Sequence, residues 1–249
     1  MSLTEQSSQQ TIAKQGWFGT THWSVVLLAG QAQSTQADAA LARLCQTYWY
    51  PLYVFVRRQG RNHEDAQDLV QAFFARVLEK NYFKDAEREK GKFRSFLLMA
   101  LKRFLANEWD RAIRLKRGGG QTIISLDEER TEGPYVVEPT DDASPEKAFE
   151  RRWALTLLDQ VLKQLEAEFA DAGKAALFAE LKSFLSGESS VSTYAEIGKR
   201  LGMSEANIKV IVYRLRHRFR ELLRLEIANT VDSPEAIDDE IRDLFAALS

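Results

Sequence analysis

The chain concentrates its chemistry between Thr193 and Arg220. Lys209, Arg214, Arg216, Arg218 and Arg220 place cations on consecutive turns of a predicted helix, with Glu205, Asn207 and Tyr213 among them. A guanidinium can read a guanine edge through two parallel hydrogen bonds, whereas lysine and the more distal arginines suit phosphates. This grouping points to duplex nucleic acid. A reaction centre is harder to assemble. His22, His63 and His217 lie far apart, and the consecutive His63-Glu64-Asp65 cannot converge on one ion from a helix. The run Lys116-Arg117-Gly118-Gly119-Gly120 lacks Walker spacing and a preceding strand, which excludes a phosphate-cradling loop. No catalytic group, metal or cofactor is expected.

A second cluster mixes acids, an amide, an aromatic and a cation: Asp65, Asp68, Gln71, Phe74 and Arg76. Acids around an apolar centre suit docking on a basic partner helix. A third is cationic: Lys84, Arg88, Lys90, Lys92, Arg94, Lys102, Arg103 and Arg111, with the amides Asn81 and Asn107.

The elements that carry these residues read as helices. Residues 37–59 place Leu41, Leu44, Tyr48, Leu52, Phe55 and Val56 on one stripe, and Pro51 predicts a kink or a start there. Asn62 predicts a cap for the helix bearing Asp65. Phe93, Phe96, Leu97, Ala100, Leu101, Phe104 and Leu105 share a face of the next helix, which marks the phenylalanines as core. The glycines at 118–120 stop it. Ser144-Pro145 predicts another helix start, followed by helices near 146–170, 174–186, 193–201 and 204–225. Thr193 and Glu196 form a capping-box pattern, Gly202 suits a tight turn, and Ser204 suits a cap. Ala195, Ile197, Leu201, Ile208 and Val212 are spaced to hold two helices as a helix-turn-helix. Ser233-Pro234 predicts a final amphipathic helix, and His22–Leu28 a short first one. The expected fold is all-α: an N-terminal extension (1–36), a helical domain (37–117), a flexible linker (118–145), a second helical domain containing the helix-turn-helix (146–225) and a C-terminal extension (226–249).

Composition agrees with a folded chain. Of 249 residues, 45% are hydrophobic and 28% charged, enough for a core. The formal net charge of −2 requires that any nucleic-acid contact use local patches. The lone cysteine, Cys45, permits no intrachain disulfide and reads as a small buried hydrophobe. With no apolar run of membrane length and no signal pattern, a soluble cytoplasmic protein is expected.

Three segments in order carry a resemblance. Asp65-Ala-Gln-Asp-Leu-Val-Gln-Ala-Phe-Phe-Ala-Arg-Val-Leu resembles the core-polymerase-binding helix of extracytoplasmic-function (ECF) sigma factors, in the sigma-70 family. Residues 91–111, from Gly91-Lys-Phe-Arg-Ser-Phe-Leu onward, are similar to that family's helix for the minus-ten promoter element. Residues 193–220 are similar to its minus-thirty-five reader, and Thr21–Val26 and Tyr48–Tyr53 look like the leading stretch of one subgroup. The resemblance spans roughly 20–225. It implies a transcription-initiation subunit rather than an enzyme, with core RNA polymerase (β′ clamp helices and β flap), promoter DNA and an anti-sigma factor as partners, and no membrane. It implies polymerase docking for Asp65, Asp68, Gln71, Phe74 and Arg76. It implies minus-ten contacts for Asn81, Lys84, Arg94, Lys102, Arg103, Asn107 and Arg111. It implies minus-thirty-five contacts for Glu205, Asn207, Lys209, Tyr213, Arg214, Arg216 and Arg218. The chain departs from the common Asp-Ala-Glu-Asp-Leu-Val-Gln-Glu pattern at Gln67 and Ala72, so steering toward polymerase has two fewer acids. The alternative is a free-standing helix-turn-helix regulator that dimerises through its first domain.

Overall fold

The computed structural model describes residues 35–78, 92–117, 144–185, 192–231 and 233–249. All regular structure among them is helical. In order, the α-helices are α1 (Thr35–Arg58), α2 (His63–Leu78), α3 (Phe93–Arg117), α4 (Pro145–Asp171), α5 (Ala175–Leu181), α6 (Tyr194–Leu201), α7 (Glu205–Ala228) and α8 (Ile237–Ala246). Short 3-10 turns at Lys182–Phe184 and Pro234–Ala236 follow α5 and precede α8. The predicted helix at His22–Leu28 and the linker at 118–143 lie outside the described residues. The chain divides into two compact units at Glu150/Arg151, inside α4.

The first unit is built on α1, α2 and α3. Tyr48, Leu52, Phe55 and Val56 of α1 are fully buried, as are Ala66, Val70 and Phe73 of α2 and Phe93 and Leu101 of α3. Ring packing knits the three: Phe73 to Phe104 at 5.7 Å, and Tyr48 edge-on to Phe93 at 5.3 Å. Each such burial contributes about 1.5–3 kcal/mol. That explains Pro51, where no new helix starts: α1 runs through it. The proline removes one backbone hydrogen bond at a cost of about 3 kcal/mol, and the buried face on both sides outweighs it. Asn62 caps α2 as predicted, its Oδ1 accepting from the Asp65 N–H at 2.7 Å. His63 is a structural residue, with Nδ1 2.6 Å from the Tyr53 hydroxyl. Cys45 is half-buried, and burial pushes its thiol pKa up, away from the reactive thiolate.

In the second unit Trp153, Leu157, Val161 and Leu165 recur every fourth residue of α4 and are buried. Phe169 meets Phe178 of α5 at 5.4 Å, and Phe184 stacks on Tyr194 of α6 at 4.7 Å. The C-terminal extension belongs to this core: Leu222, Leu223 and Ile227 of α7 are buried, as are Ile237 and Leu244 of α8. The α7 helix therefore continues to Ala228, beyond the expected limit at 225. The Ser233-Pro234 start signal opens a single 3-10 turn before α8 begins.

Candidate nucleic-acid interface

The α6–α7 pair is set by local chemistry. Thr193 Oγ1 accepts the Glu196 N–H at 3.3 Å, and Glu196 Oε2 accepts the Thr193 N–H at 2.7 Å, closing the capping box. The Thr193 N–H, and after it the Thr193 hydroxyl donating to the same oxygen at 3.0 Å, hold the Glu196 carboxyl below the usual range. Gly202 ends α6 at φ 67°, a left-handed conformation that disfavours a side chain. The Met203 N–H then donates to the Gly198 carbonyl at 2.8 Å. The turn lies so close to α6 that a Cβ at Gly198 would sit 2.6 Å from the Met203 carbonyl oxygen. Ser204 Oγ caps α7 by accepting the Asn207 N–H at 3.2 Å.

Ile208, Val212 and Leu215 fix one face of α7 in the core, so the opposite face points outward. Glu205, Ala206, Asn207, Lys209, Val210, Tyr213 and Arg214 are all exposed, Tyr213 by 67% and Val210 by 46%. Lys209 pairs with Glu205 at 2.7 Å, which raises its pKa, and lies 5.9 Å from the Tyr194 ring. Arg214 makes no ion pair among the described residues.

Two arginines expected on this stripe are committed elsewhere. Arg216 donates from Nε and Nη2 to the Phe184 carbonyl at 3.2 and 3.1 Å. Arg218 grips both Glu168 oxygens at 2.9 and 2.7 Å and Glu221 at 3.0 Å, which raises its own pKa and lowers that of Glu168. Each is bonded within the unit, although Arg216 remains exposed. They tie α7 to the 3-10 turn and to α4.

In the first unit Asp65, Asp68, Gln71 and Arg76 are exposed on α2. Phe74 is not. It is 6% exposed, its ring 5.9 Å from that of Phe73, and it belongs to the core because the buried stripe of α2 includes both rings. The aromatic beside the acids is Trp109 of α3, 51% exposed, with the Arg61 guanidinium 4.9 Å from its ring. Leu69 and Ala72 of α2 and Trp109 and Ile113 of α3 line a groove of about 420 Å³ with Asp65 and Asp68 at its rim.

The α3 cations divide by edge. Arg103, Asn107 and Arg111 are exposed; Arg111 has only a long 3.9 Å approach to Glu108, and Arg103 a 3.5 Å contact to the Met99 sulfur. Lys102 pairs with Glu146 at 2.7 Å. Arg94 is 4% exposed and bonded to Glu150 at 2.9 Å. In this arrangement the Arg94 guanidinium is a buried partner of α4's first turns rather than an open donor. Phe93 and Phe104 are core, as their stripe predicted. Asn81 and Lys84 lie outside the described residues, as do Arg88 and Lys90.

Sequence reasoning missed Gly198, Val210, Glu146 and Glu150. Val210 lies one turn after Ala206 and one before Tyr213 and Arg214, so a helical wheel exposes it. Gly198 and the two glutamates had no such signal, because their roles depend on tertiary contacts.

Two helices thus meet at a glycine turn, and the second carries an open outer face of mixed cationic, amide and aromatic character. The family model for ECF sigma factors matches residues 27–225, and the chain belongs to that family. Its function is that of an RNA polymerase sigma factor of the ECF type, which favours initiation with core polymerase over a free-standing dimeric regulator. No curated protein and no solved structure matches the chain. Among the described residues no helix is long and apolar enough to cross a membrane, and no cluster of three metal-ligating side chains occurs.

Proposed function

We propose that α7 enters the major groove of the minus-thirty-five element with its N-terminal half, that α3 holds the minus-ten strand, and that α2 docks on core polymerase. The observation that carries the first assignment is the exposure of one continuous face, Ala206-Val210-Tyr213-Arg214, behind a helix whose other face is fully buried. Arg214 suits a guanine edge, Lys209 a phosphate, and Val210 with Tyr213 a thymine methyl. Arg103, Asn107 and Arg111 supply the open cationic edge of α3. Gln71 is exposed on α2, and Asp65 and Asp68 of the same helix line the α2–α3 groove, where Leu69, Ala72 and Trp109 offer the apolar centre of a docking surface. Its partner is the basic surface of the polymerase clamp, and the groove-filling groups on that partner are apolar.

Holoenzyme assembly and run-off transcription test the division. Arg214→Glu abolishes promoter-selective transcription while core polymerase is still captured at wild-type affinity. Asp68→Lys with Gln71→Ala does the reverse, losing capture first. Normal transcription from Arg214→Glu would remove α7 from the promoter, and normal capture by the α2 variant would remove α2 from the polymerase.

A further inference from the structure

Two of the cations expected on promoter DNA are met by carboxylates from the chain itself. Lys102 Nζ lies 2.7 Å from Glu146 Oε1, and Arg94 Nη1 lies 2.9 Å from Glu150 Oε1. Both acids are in the opening turns of α4, and residues up to Glu150 belong to the first unit. Between them Phe149 is 1% exposed and shares a cleft of about 170 Å³ with Leu98 and Met99 of α3. Spacing of three and four residues puts Glu146, Phe149 and Glu150 on one helix face. Arg94, Leu98 and Lys102 occupy one face of α3 at intervals of four. The two faces match acid to cation at two points, with the aromatic ring between. The hydrogen bond from Lys102 lowers the pKa of the Glu146 carboxyl.

We infer that residues 146–150 are an internal competitor for a phosphate-binding face of α3: in the free chain Glu146 and Glu150 occupy Lys102 and Arg94, and these cations pass to backbone phosphates of promoter DNA when the segment is displaced. This rests on the assignment of α3 to DNA. Carboxylate and phosphate oxygens compete for the same ammonium and guanidinium donors. A phosphate reaching Lys102 must displace Glu146 or share the cation against anion–anion repulsion. The two pairs differ in how readily they exchange. Lys102 and Glu146 are 44% and 46% exposed, so salt and water screen them. Arg94 is enclosed, with only Glu150 partly open to solvent. Glu146 exchanges first, and Arg94 becomes available only when Phe149 leaves its cleft. The device keeps a free sigma factor from occupying nonspecific DNA with its strand-binding face.

Fluorescence anisotropy with a labelled fork-junction DNA across a salt series tests the competition, using the free full-length chain and its holoenzyme. Glu146→Gln with Glu150→Gln tightens binding of the free chain by about tenfold and steepens its salt dependence by about 0.9 for each phosphate gained. Glu146→Gln alone, which leaves the enclosed Arg94 pair intact and folding undisturbed, gives a smaller shift of the same sign. Glu166→Gln with Asp171→Asn, an equal charge change further along α4, gives less than the double variant. Adding Lys102→Gln removes most of the gain. In holoenzyme, wild type and double variant bind alike. Equal affinity and slope for the free wild type and double variant, including no binding by either, overturn the competition, as does a gain equal to that of the Glu166/Asp171 control. The underlying assignment fails separately: if Arg103→Glu with Arg111→Glu leaves holoenzyme transcription unchanged, α3 does not hold DNA at all.

Discussion

The outer faces of α7 and α3 carry similar cationic sequences but make opposite use of them. On α7 the N-terminal half is open, and two of the arginines beyond it are bonded within the unit: Arg216 to the Phe184 carbonyl, Arg218 to Glu168 and Glu221. On α3 the division runs along the helix rather than across it. Arg103, Asn107 and Arg111 form an exposed edge, and Arg94 and Lys102 form an edge held by Glu150 and Glu146. A cation at the right period is thus a candidate contact only if its donors are not already accepted by a neighbour. On α7 the tied arginines position the reading surface. On α3 the proposed competition would make the tied cations part of the surface, released when Glu146 and Glu150 leave.

The largest expected effect on this comparison comes from the turn that orients α7. Gly198→Ala places a methyl group 2.6 Å from a backbone oxygen that has little freedom to move. Overpacking of this kind costs about 1–3 kcal/mol. Relief requires α7 to shift relative to α6, so promoter-selective transcription falls far more than stability does. Capture of core polymerase, assigned above to α2 by proposal, is unchanged. A thermal melt beside run-off transcription checks both halves. A variant with wild-type transcription would show that the close approach of α6 to the turn does not set the reading geometry.

Next in size is Arg214→Ala, set against Arg218→Ala. Loss of a base contact by Arg214 costs about 1–3 kcal/mol of discrimination at one promoter position, with no change in melting temperature. Loss of Arg218 leaves Glu168 unpaired, but the site is more than a third exposed, so the stability change is at most about 1 kcal/mol. The salt dependence of DNA binding stays as in wild type for Arg218→Ala, because that side chain neutralises no phosphate. A salt slope reduced by about 0.9 for Arg218→Ala would return it to the DNA surface and erase the distinction between the open and tied halves of α7.

These contrasts also show what the sequence made legible. Thr193, Glu196, Gly202 and Ser204 act through neighbours three or four residues away, and all four behave as local chemistry predicts. Asn62 does the same for α2. The all-α class follows from periodicity, which the buried stripes of α1, α3 and α4 repeat. What escaped was availability. Phe74 and Trp109 are both aromatics near the acids of α2, and only tertiary packing sends one inward and leaves the other at the groove. Arg94, Arg216 and Arg218 lie 56, 32 and 50 residues from their acceptors, so no local rule pairs them. Pro51 is the converse case, where a strong local signal yields to core burial on both sides.

Val210 offers a smaller and sharper measurement. Its 46% exposure in the free protein suits an apolar contact, and the major groove presents only one apolar group, the thymine methyl. Replacing thymidine by deoxyuridine, one position at a time, across the upstream element weakens wild-type holoenzyme at one or two positions by a few-fold, about 1 kcal/mol. With Val210→Ala the same replacement has less effect at that position and the same effect elsewhere. Equal sensitivity in both proteins at every position would assign the methyl contact to Tyr213 or remove it from α7.

The smallest effect concerns pH and the tied side of the second unit. The carboxyls of Glu168 and Glu196 lie below the ordinary glutamate range, the first through the Arg218 hydrogen bond and the second through the Thr193 backbone N–H. A carboxyl whose folded pKa is depressed adds stability above its unfolded pKa, and that stability is lost as pH falls through the folded value. The melting temperature is therefore flat near neutrality and declines from about pH 5 downward, as unfolded glutamates begin to take up protons. Glu168→Gln and Glu196→Gln each flatten part of that decline. They do so for different reasons, since Glu196→Gln keeps a capping amide that can still accept the Thr193 N–H, whereas Glu168→Gln removes the two-oxygen carboxylate partner of Arg218 and leaves it Glu221. The Glu168 variant therefore loses more of its neutral-pH stability than the Glu196 variant. The reverse order would mean that the cap of α6, rather than the Arg218 tie from α7 to α4, is the stronger of the two anchors holding the reading helix in place.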